Sequence, residues 1–508
     1  MKDVNVYEIA AFIVYFCLVL GVGIFFFIRS KKEAGEKSYF LGGRNMSGAV
    51  AALSAGASDM SAWVLMGLPG AIFLLGLGQI WISVGLFIGT ALAWLFIAPR
   101  LRTFSIAAKD SITIPQYLTN RFCSENKALQ IASALVFIIV YCIYSASSIS
   151  ACGDLFKTLF KLDDSGRTVA MVVAAIIIVL YTFLGGFNAV CWTDFFQGLL
   201  MLAALMIVPI VAAVMINAGK GASPSLEANY YNILSSGKFD RASIMDILSG
   251  LGWGLGYFGM PHILIRYMSI KSKKEMNRSR IIGTTWTFLI LAMASVVGLV
   301  GRQYIGDALA ISGEKQMIFI EMGTRLFPAL LAGILLSAIL AASMSTADSQ
   351  LLASSSAFSS DIYKSVVRKN ASDREVMWAG RFVVVFICAV ALTIAILPNT
   401  GGIMELVSDA WAAFGSAFGP VIILSLYWKR FNYAGAVSGV ISGFLVDAVW
   451  RYGFHNTALA DLYEIIPGFV VGMIVSIVVT LATAKPSEEV EKLFDRGVSI
   501  LKSDEENA

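Results

Sequence analysis

Leu53-Ser54-Ala55-Gly56-Ala57-Ser58-Asp59-Met60-Ser61-Ala62-Trp63 places one acid, small residues and hydroxyls inside a long hydrophobic run. A charged side chain at bilayer depth costs roughly 2.5–3.5 kcal/mol on insertion scales, so Asp59 needs a partner or a task. The small and hydroxylated residues around it suit a helix that breaks and exposes its own carbonyls. The stretch therefore predicts a cation site within a membrane.

The rest of the chain supplies that membrane protein. Of 508 residues, 57% are hydrophobic and only 14% are charged, and the mean hydropathy is +0.76. A soluble chain of this length would carry far more charge. Apolar runs of roughly 20 residues, enough to cross about 30 Å of hydrocarbon, number about thirteen. They lie near 6–28, 46–70, 78–99, 128–152, 168–186, 189–216, 242–264, 281–301, 317–346, 378–398, 403–427, 433–451 and 463–483. Lipid leaves no other partner for the backbone, so each span is expected to be helical and the fold all-α. The first run has no cleavage-site pattern and is read as an anchor. The longest connections fall at 217–241 and 347–375, so residues 1–484 read as one transmembrane domain and 485–508 as a polar cytoplasmic tail.

With the amino terminus outside, about 27 of the 38 basic residues fall on the inner side, which sets the orientation. The richest inner loop runs from Arg266 to Arg280. An odd number of spans then leaves the carboxyl terminus in the cytoplasm. The net charge of +4 follows from this bias and indicates no nucleic-acid partner. Cys17, Cys123, Cys142, Cys152, Cys191 and Cys388 are scattered in or beside spans and read as small packing residues. Two histidines are too few for a histidine metal site. No Walker motif, dinucleotide fingerprint or nucleophile elbow occurs, so ATP-driven chemistry and catalysis have no support.

Two further segments are unusual for lipid. The ninth run ends Ser343-Met344-Ser345-Thr346-Ala347-Asp348-Ser349. Hydroxyls at Ser345 and Thr346 suit a hard cation, which takes oxygen ligands; equally, small polar residues let membrane helices pack closely. The seventh run, Gly250-Leu251-Gly252-Trp253-Gly254-Leu255-Gly256-Tyr257-Phe258-Gly259-Met260-Pro261-His262, is poor helix, since each Gly weakens it by about 1 kcal/mol and Pro by about 3. Trp253 and Tyr257 are four apart and share a face wherever the segment is helical. Breaks at corresponding places in two halves point to a transporter's binding site. Runs two and seven are five apart, which fits two five-helix repeats over about 46–216 and 242–427.

Leu41-Gly42-Gly43-Arg44, Ala52 to Ser61, Gly67-Leu68-Pro69-Gly70, Gly252 to Gly259, Pro261-His262-Ile263-Leu264, Trp411-Ala412-Ala413-Phe414-Gly415 and Leu462 to Gly468 resemble the sodium/solute symporter family, and within it the bacterial sodium/proline symporters. The Ala-Ser-Asp-Met-Ser and Gly-Trp-Gly-Leu-Gly-Tyr-Phe-Gly strings are its specific part. The resemblance implies a LeuT-type five-plus-five inverted-repeat core in a bacterial inner membrane, and import of L-proline driven by co-transported Na+. It puts sodium at the carbonyls of Ala57, Met60 and Ala342 and the hydroxyls of Ser345 and Thr346. It assigns Tyr144, Trp253, Tyr257 and Pro261 to the substrate region. Asp59 and Ser61 act near the sodium site. Arg44 is either functionally sensitive or an ordinary inner anchor, and Asp194 either handles cations or caps a loop edge. The chain departs from the family's pattern at Ala62 (glycine), Met260 (glutamine), Asp348 (serine) and Asp409 (tyrosine). Met260 bears on affinity and substrate breadth. Asp348 and Asp409 either add cation affinity or face water or a basic neighbour.

The chemistry of the seventh run agrees with proline, a zwitterion with an apolar ring that fits helix ends and aromatic faces. A sodium symporter for another small amino acid or carboxylate is the alternative. A transporter-like sensor or a channel belongs to another class, and the short polar tail speaks against a sensor's output domain. Oligomeric state and lipid partners are not written in these residues.

Overall fold

The computed structural model describes residues 5–30, 35–397 and 401–506. The end of the expected 378–398 run and the last two residues of the tail lie outside them. Among the described residues, eleven helices are long and apolar enough to cross a membrane, and a twelfth crossing results when the bent pair Gly48–Asp59 and Trp63–Leu75 is taken as one span.

In chain order the elements that position the site are α1 (Val6–Ser30), α2 (Gly48–Asp59), α3 (Leu68–Leu75), α4 (Leu77–Ala107), α5 (Ala128–Phe160), α6 (Asp164–Phe183), α7 (Gly186–Lys220), α8 (Arg241–Gly252), α9 (Pro261–Ser269), α10 (Lys273–Ile305), α11 (Ala329–Val367), α12 (Asp373–Ile396), α13 (Ile403–Tyr427), α14 (Tyr433–Gly453), α15 (Ile465–Ala482) and α16 (Glu488–Glu506). The seventh expected run, 242–264, falls in the segment 241–269, which is not a continuous helix and is not among the spans counted above, so the count of thirteen is not reached among the described residues. α8 gives way to a tight turn of 3-10 helix at Trp253–Phe258, and α9 starts anew at Pro261. Glycine density in 250–259 is the cause, because each glycine leaves the backbone free to depart from the α geometry. Pro261 occupies the first turn of α9, where its missing N–H costs nothing.

The ninth run needs the larger correction. α11 begins at Ala329, after Pro328, and continues as helix to Val367. Ser345 and Thr346 therefore sit in mid-span instead of at its end, and most of the expected 347–375 connection is helix. The polar stretch tolerates bilayer depth because it is packed inside the protein: 78% of the span's apolar window is buried, against α1, α5 and the α6–α7 stretch, from which Tyr181 donates to the Met344 carbonyl. Lipid-facing α1, by contrast, is buried over 28% of its window.

The two irregular segments are tied together at one end. Met46 donates its amide to Ser269 at 3.1 Å and accepts from Lys271 at 3.1 Å. Twelve residues of α2 then rise about 18 Å before the break at Met60, which is roughly half of a 30 Å bilayer. The polar tail folds as α16 and docks on the same end. Arg102 contacts Asp504 at 2.6 Å, Phe104 meets Phe494 edge-on at 5.2 Å between ring centres, and Lys429 pairs with Asp495 at 2.8 Å.

Candidate functional site

α2 ends at Met60, whose backbone (φ −79°, ψ 72°) has left the helix, and the chain resumes at Trp63 after a bend of 61°. The carbonyls of the last turn of α2 are thereby released beside α11. Ser345 donates its hydroxyl to the Ala57 carbonyl at 2.8 Å and to the Ala342 carbonyl at 3.1 Å. Ala57, Met60, Ala342, Ser345 and Thr346 are all fully buried. The Thr346 hydroxyl has no hydrogen-bond partner although it is closed off from water. A hydroxyl left unsatisfied in an interior costs about 1–3 kcal/mol. Carbonyl and hydroxyl oxygens with no nitrogen or sulfur are the donor set of a hard ion.

Asp59, 1% exposed, lies beside this group. Its carbonyl accepts from the Trp63 indole at 3.2 Å, the Tyr144 hydroxyl at 3.3 Å and the Ser61 amide at 2.9 Å. Tyr144 and Ser61 therefore hold the broken backbone. The carboxylate accepts from the Tyr257 hydroxyl through Oδ2, while Oδ1 has no partner. Tyr257 thus faces Asp59 with its polar end and meets Trp411 with its ring, 5.1 Å between centres.

Beyond the break, Trp253 stacks on Tyr463 at 5.2 Å and lies 5.9 Å from Trp63. Its carbonyl accepts from the Trp411 indole at 2.7 Å. A cavity of about 420 Å³, lined in part by Trp253, Tyr463, Gln316 and Arg451, opens above this aromatic group. Pro261 and Met260 are buried at the second break. The released N–H groups at the start of α9 and the carbonyls at the end of α2 place positive and negative dipole ends on the same interior region.

Asp194 and Arg44 stand elsewhere. Asp194 is not at a loop edge: it lies within α7, fully buried, and pairs with Arg266 at 3.0 Å while accepting from Ser54 at 2.6 Å. Arg266, grouped with the basic inner loop by its sequence, is 2% exposed and also bonds Ser349 at 2.5 Å and the His262 carbonyl at 2.7 Å. The signal for it was its place four residues after His262 on one helical face. Asp348 does not face water; it is fully buried and accepts from Ser349 at 3.1 Å. Asp409 meets a basic neighbour, Arg451, at 2.8 Å. Arg44 closes the end where Met46 meets Ser269. It bonds Asp110 at 2.8 Å, the Ser111 carbonyl at 2.8 Å and the Met268 carbonyl at 2.6 Å. Burial pulls its guanidinium below the ordinary value and Asp110 works against that pull.

Two discontinuous membrane helices whose breaks meet among buried oxygen atoms are the arrangement of a secondary transporter. The sequence pattern of the sodium:solute symporter family matches residues 39–443, and the chain belongs to that family. It is 42% identical to the osmoregulated proline transporter of Bacillus subtilis, covering 96% of this chain and 97% of that protein. It is likewise 42% identical to the sodium/proline symporter of Escherichia coli, over 95% of each. Among solved structures, a Na+-coupled sialic acid symporter in a substrate-bound, outward-open state superposes with a TM-score of 0.76 at 20% identity, over 96% of this chain and 100% of that one. The fold is the expected LeuT-type architecture, and the protein is a multi-pass, sodium-coupled symporter.

Proposed function

We propose that this protein imports L-proline into a bacterial cell across the cytoplasmic membrane, with its amino terminus outside and its carboxyl terminus in the cytoplasm. The observation that carries this reading is the junction of α2 and α11, where Ser345 bonds the Ala57 carbonyl and the buried Thr346 hydroxyl stands unpaired. Sodium binds there, to the carbonyls of Ala57, Met60 and Ala342 and the hydroxyls of Ser345 and Thr346. Proline lies next to it, between Trp253, Tyr257, Tyr144 and the start of α9 at Pro261, with its carboxylate toward the N-terminal helix ends. Its names come from the relatives above; the zwitterion and ring suit the dipole ends and aromatic faces of this interior. Repeats 46–216 and 242–427 of the domain 1–484 rock about this point, and Arg44 holds the inner side shut while sodium and substrate load. Asp59, Ser61 and Asp194 act beside the site, through helix geometry and charge.

One sodium ion falling through 100 mV supplies about 2.3 kcal/mol, roughly a fifty-fold accumulation before the sodium gradient is counted. Sodium at the broken end of α2 favours the state that accepts proline, and by linkage proline must raise sodium affinity by the same factor. Purified protein in proteoliposomes tests this: proline uptake should require inward sodium, and Ser345→Ala should raise the half-activating sodium concentration about ten-fold or more. Uptake that ignores sodium would end the proposal.

A further inference from the structure

Arg381 of α12 is a buried cation that no acid answers among the described residues. It is 8% exposed, and its Nε donor is closed off from water without a hydrogen-bond partner. Other buried arginines are provided for: Arg266 pairs with Asp194, and Arg121 bonds the Ser425 carbonyl at 3.0 Å. The acids closest to Arg381 along the chain are already engaged, Asp373 by Lys364 at 3.2 Å and Glu375 by Arg368 at 2.9 Å. Lys364 also takes Glu36, the acid that opens the short helix Glu36–Leu41 packed beside α12. A charged group left in an apolar interior without a partner retains most of its desolvation cost.

What surrounds the guanidinium is aromatic. Its central carbon lies 5.0 Å from the ring centre of Trp378, 5.2 Å from that of Phe183 and 5.6 Å from that of Tyr39. Each such contact is worth about 0.5–2 kcal/mol and fixes where the cation sits. Ring faces do not satisfy its five N–H groups, which need oxygen acceptors. The Tyr39 hydroxyl is near enough to feel the charge of Arg381, yet it too is closed off from water and has no hydrogen-bond partner. The cage is rigid: a Cβ on Gly186, where φ is +60°, would stand 2.7 Å from the Tyr39 ring.

The cage also lies at a defined depth. Asp373, Arg374 and Glu375 open α12, and Trp378 follows about 8 Å further along it. Tryptophan marks the boundary between membrane and water. Helical side chains lean toward the start of their helix, which brings the Arg381 guanidinium back to the level of Trp378. Trp378 and Phe382 are 39% and 67% exposed on this apolar helix, so lipid reaches the cage from outside.

We propose that Arg381, together with the Tyr39 hydroxyl, binds the phosphate of a phospholipid in the leaflet around the end of the bundle where α16 docks. The lipid is then the counter-ion that the protein does not supply. A guanidinium matches two phosphate oxygens at once, and phosphate is the anion present at the depth of an interfacial tryptophan. Tyr39 belongs to the short helix that leads into Arg44 and Met46, so a bound lipid steadies the segment that meets Ser269 and Lys271. The inference needs only the membrane fold, whichever substrate the protein carries.

The test is native mass spectrometry of the purified full-length protein, with dioleoylphosphatidylglycerol titrated into wild type, Arg381→Gln and Tyr39→Phe. The most tightly held phosphatidylglycerol of wild type should bind about ten-fold more weakly to Arg381→Gln and about three-fold more weakly to Tyr39→Phe. Dioleoylglycerol, which has the same tails and no phosphate, should bind all three proteins alike. Excess inorganic phosphate should leave the lipid in place. Tyr39→Phe keeps the ring in the cage and removes only the hydroxyl, so it decides the matter where Arg381→Gln does not fold. Unchanged affinity in folded Arg381→Gln, or in Tyr39→Phe where it stands alone, would leave Arg381 a caged structural cation and end the proposal. Displacement of the lipid by inorganic phosphate would make this a site for free anions and overturn the lipid assignment.

Discussion

Asp59 and Asp194 are both carboxylates shut away from water in one helical bundle, yet their surroundings are of opposite kinds. Asp194 carries its counter-ion with it. Arg266 lies 3.0 Å away, Ser54 donates at 2.6 Å, and the guanidinium goes on to bind Ser349 and the His262 carbonyl. Asp59 has the Tyr257 hydroxyl and nothing basic among the described residues. A charge balanced inside the protein fastens helices together, here α2, α7, α9 and α11. The same residue type in one bundle is thus paired with a base in one place and left with a single tyrosine donor in the other.

That contrast can be broken most severely at Arg266. Arg266→Met leaves Asp194 buried and unpaired and should cost about 3–5 kcal/mol, read as a lowered unfolding temperature in detergent, with much of it regained in Arg266→Met/Asp194→Asn. Equal stability of Arg266→Met and wild type would put both acids in one class. Next in size is Asp59→Asn. It should leave sodium-free stability unchanged or raised, because an uncompensated charge is removed, while sodium-driven proline uptake drops about a hundred-fold, or ~2.7 kcal/mol. Sodium dependence preserved in Asp59→Asn would take the residue out of the mechanism. The smallest change is expected where charges meet water. Asp504→Asn, which loosens α16 from Arg102, should cost only about 0.2–1 kcal/mol and shrink further in high salt.

Much of the fold was legible in the residues themselves. Ile403–Tyr427 appears at its expected limits, and the breaks near Asp59 and in 250–261 fall where small residues, glycine and Pro261 weaken the helix. The ninth run was misplaced because hydropathy scores the side chain and cannot see its neighbours. Ser343, Ser345, Thr346, Asp348 and Ser349 look like the exit from a membrane, but α1, α5 and the α6–α7 stretch pack around their helix. Arg266 was hidden by its company: five other basic residues follow it within the loop's fifteen positions, 266–280, and only its partners reveal that it is buried.

Composition and periodicity determined that this chain crosses a membrane many times as helix, and its specific strings determined its family, because both depend on residues close together in sequence. Which charges are balanced, which hydroxyls stand unpaired, and which face of α2 meets α11 depended on the tertiary structure. Those are relations between groups far apart in the chain, such as Asp59 with Tyr257 and Ala57 with Ser345, and only packing brings them within bonding distance.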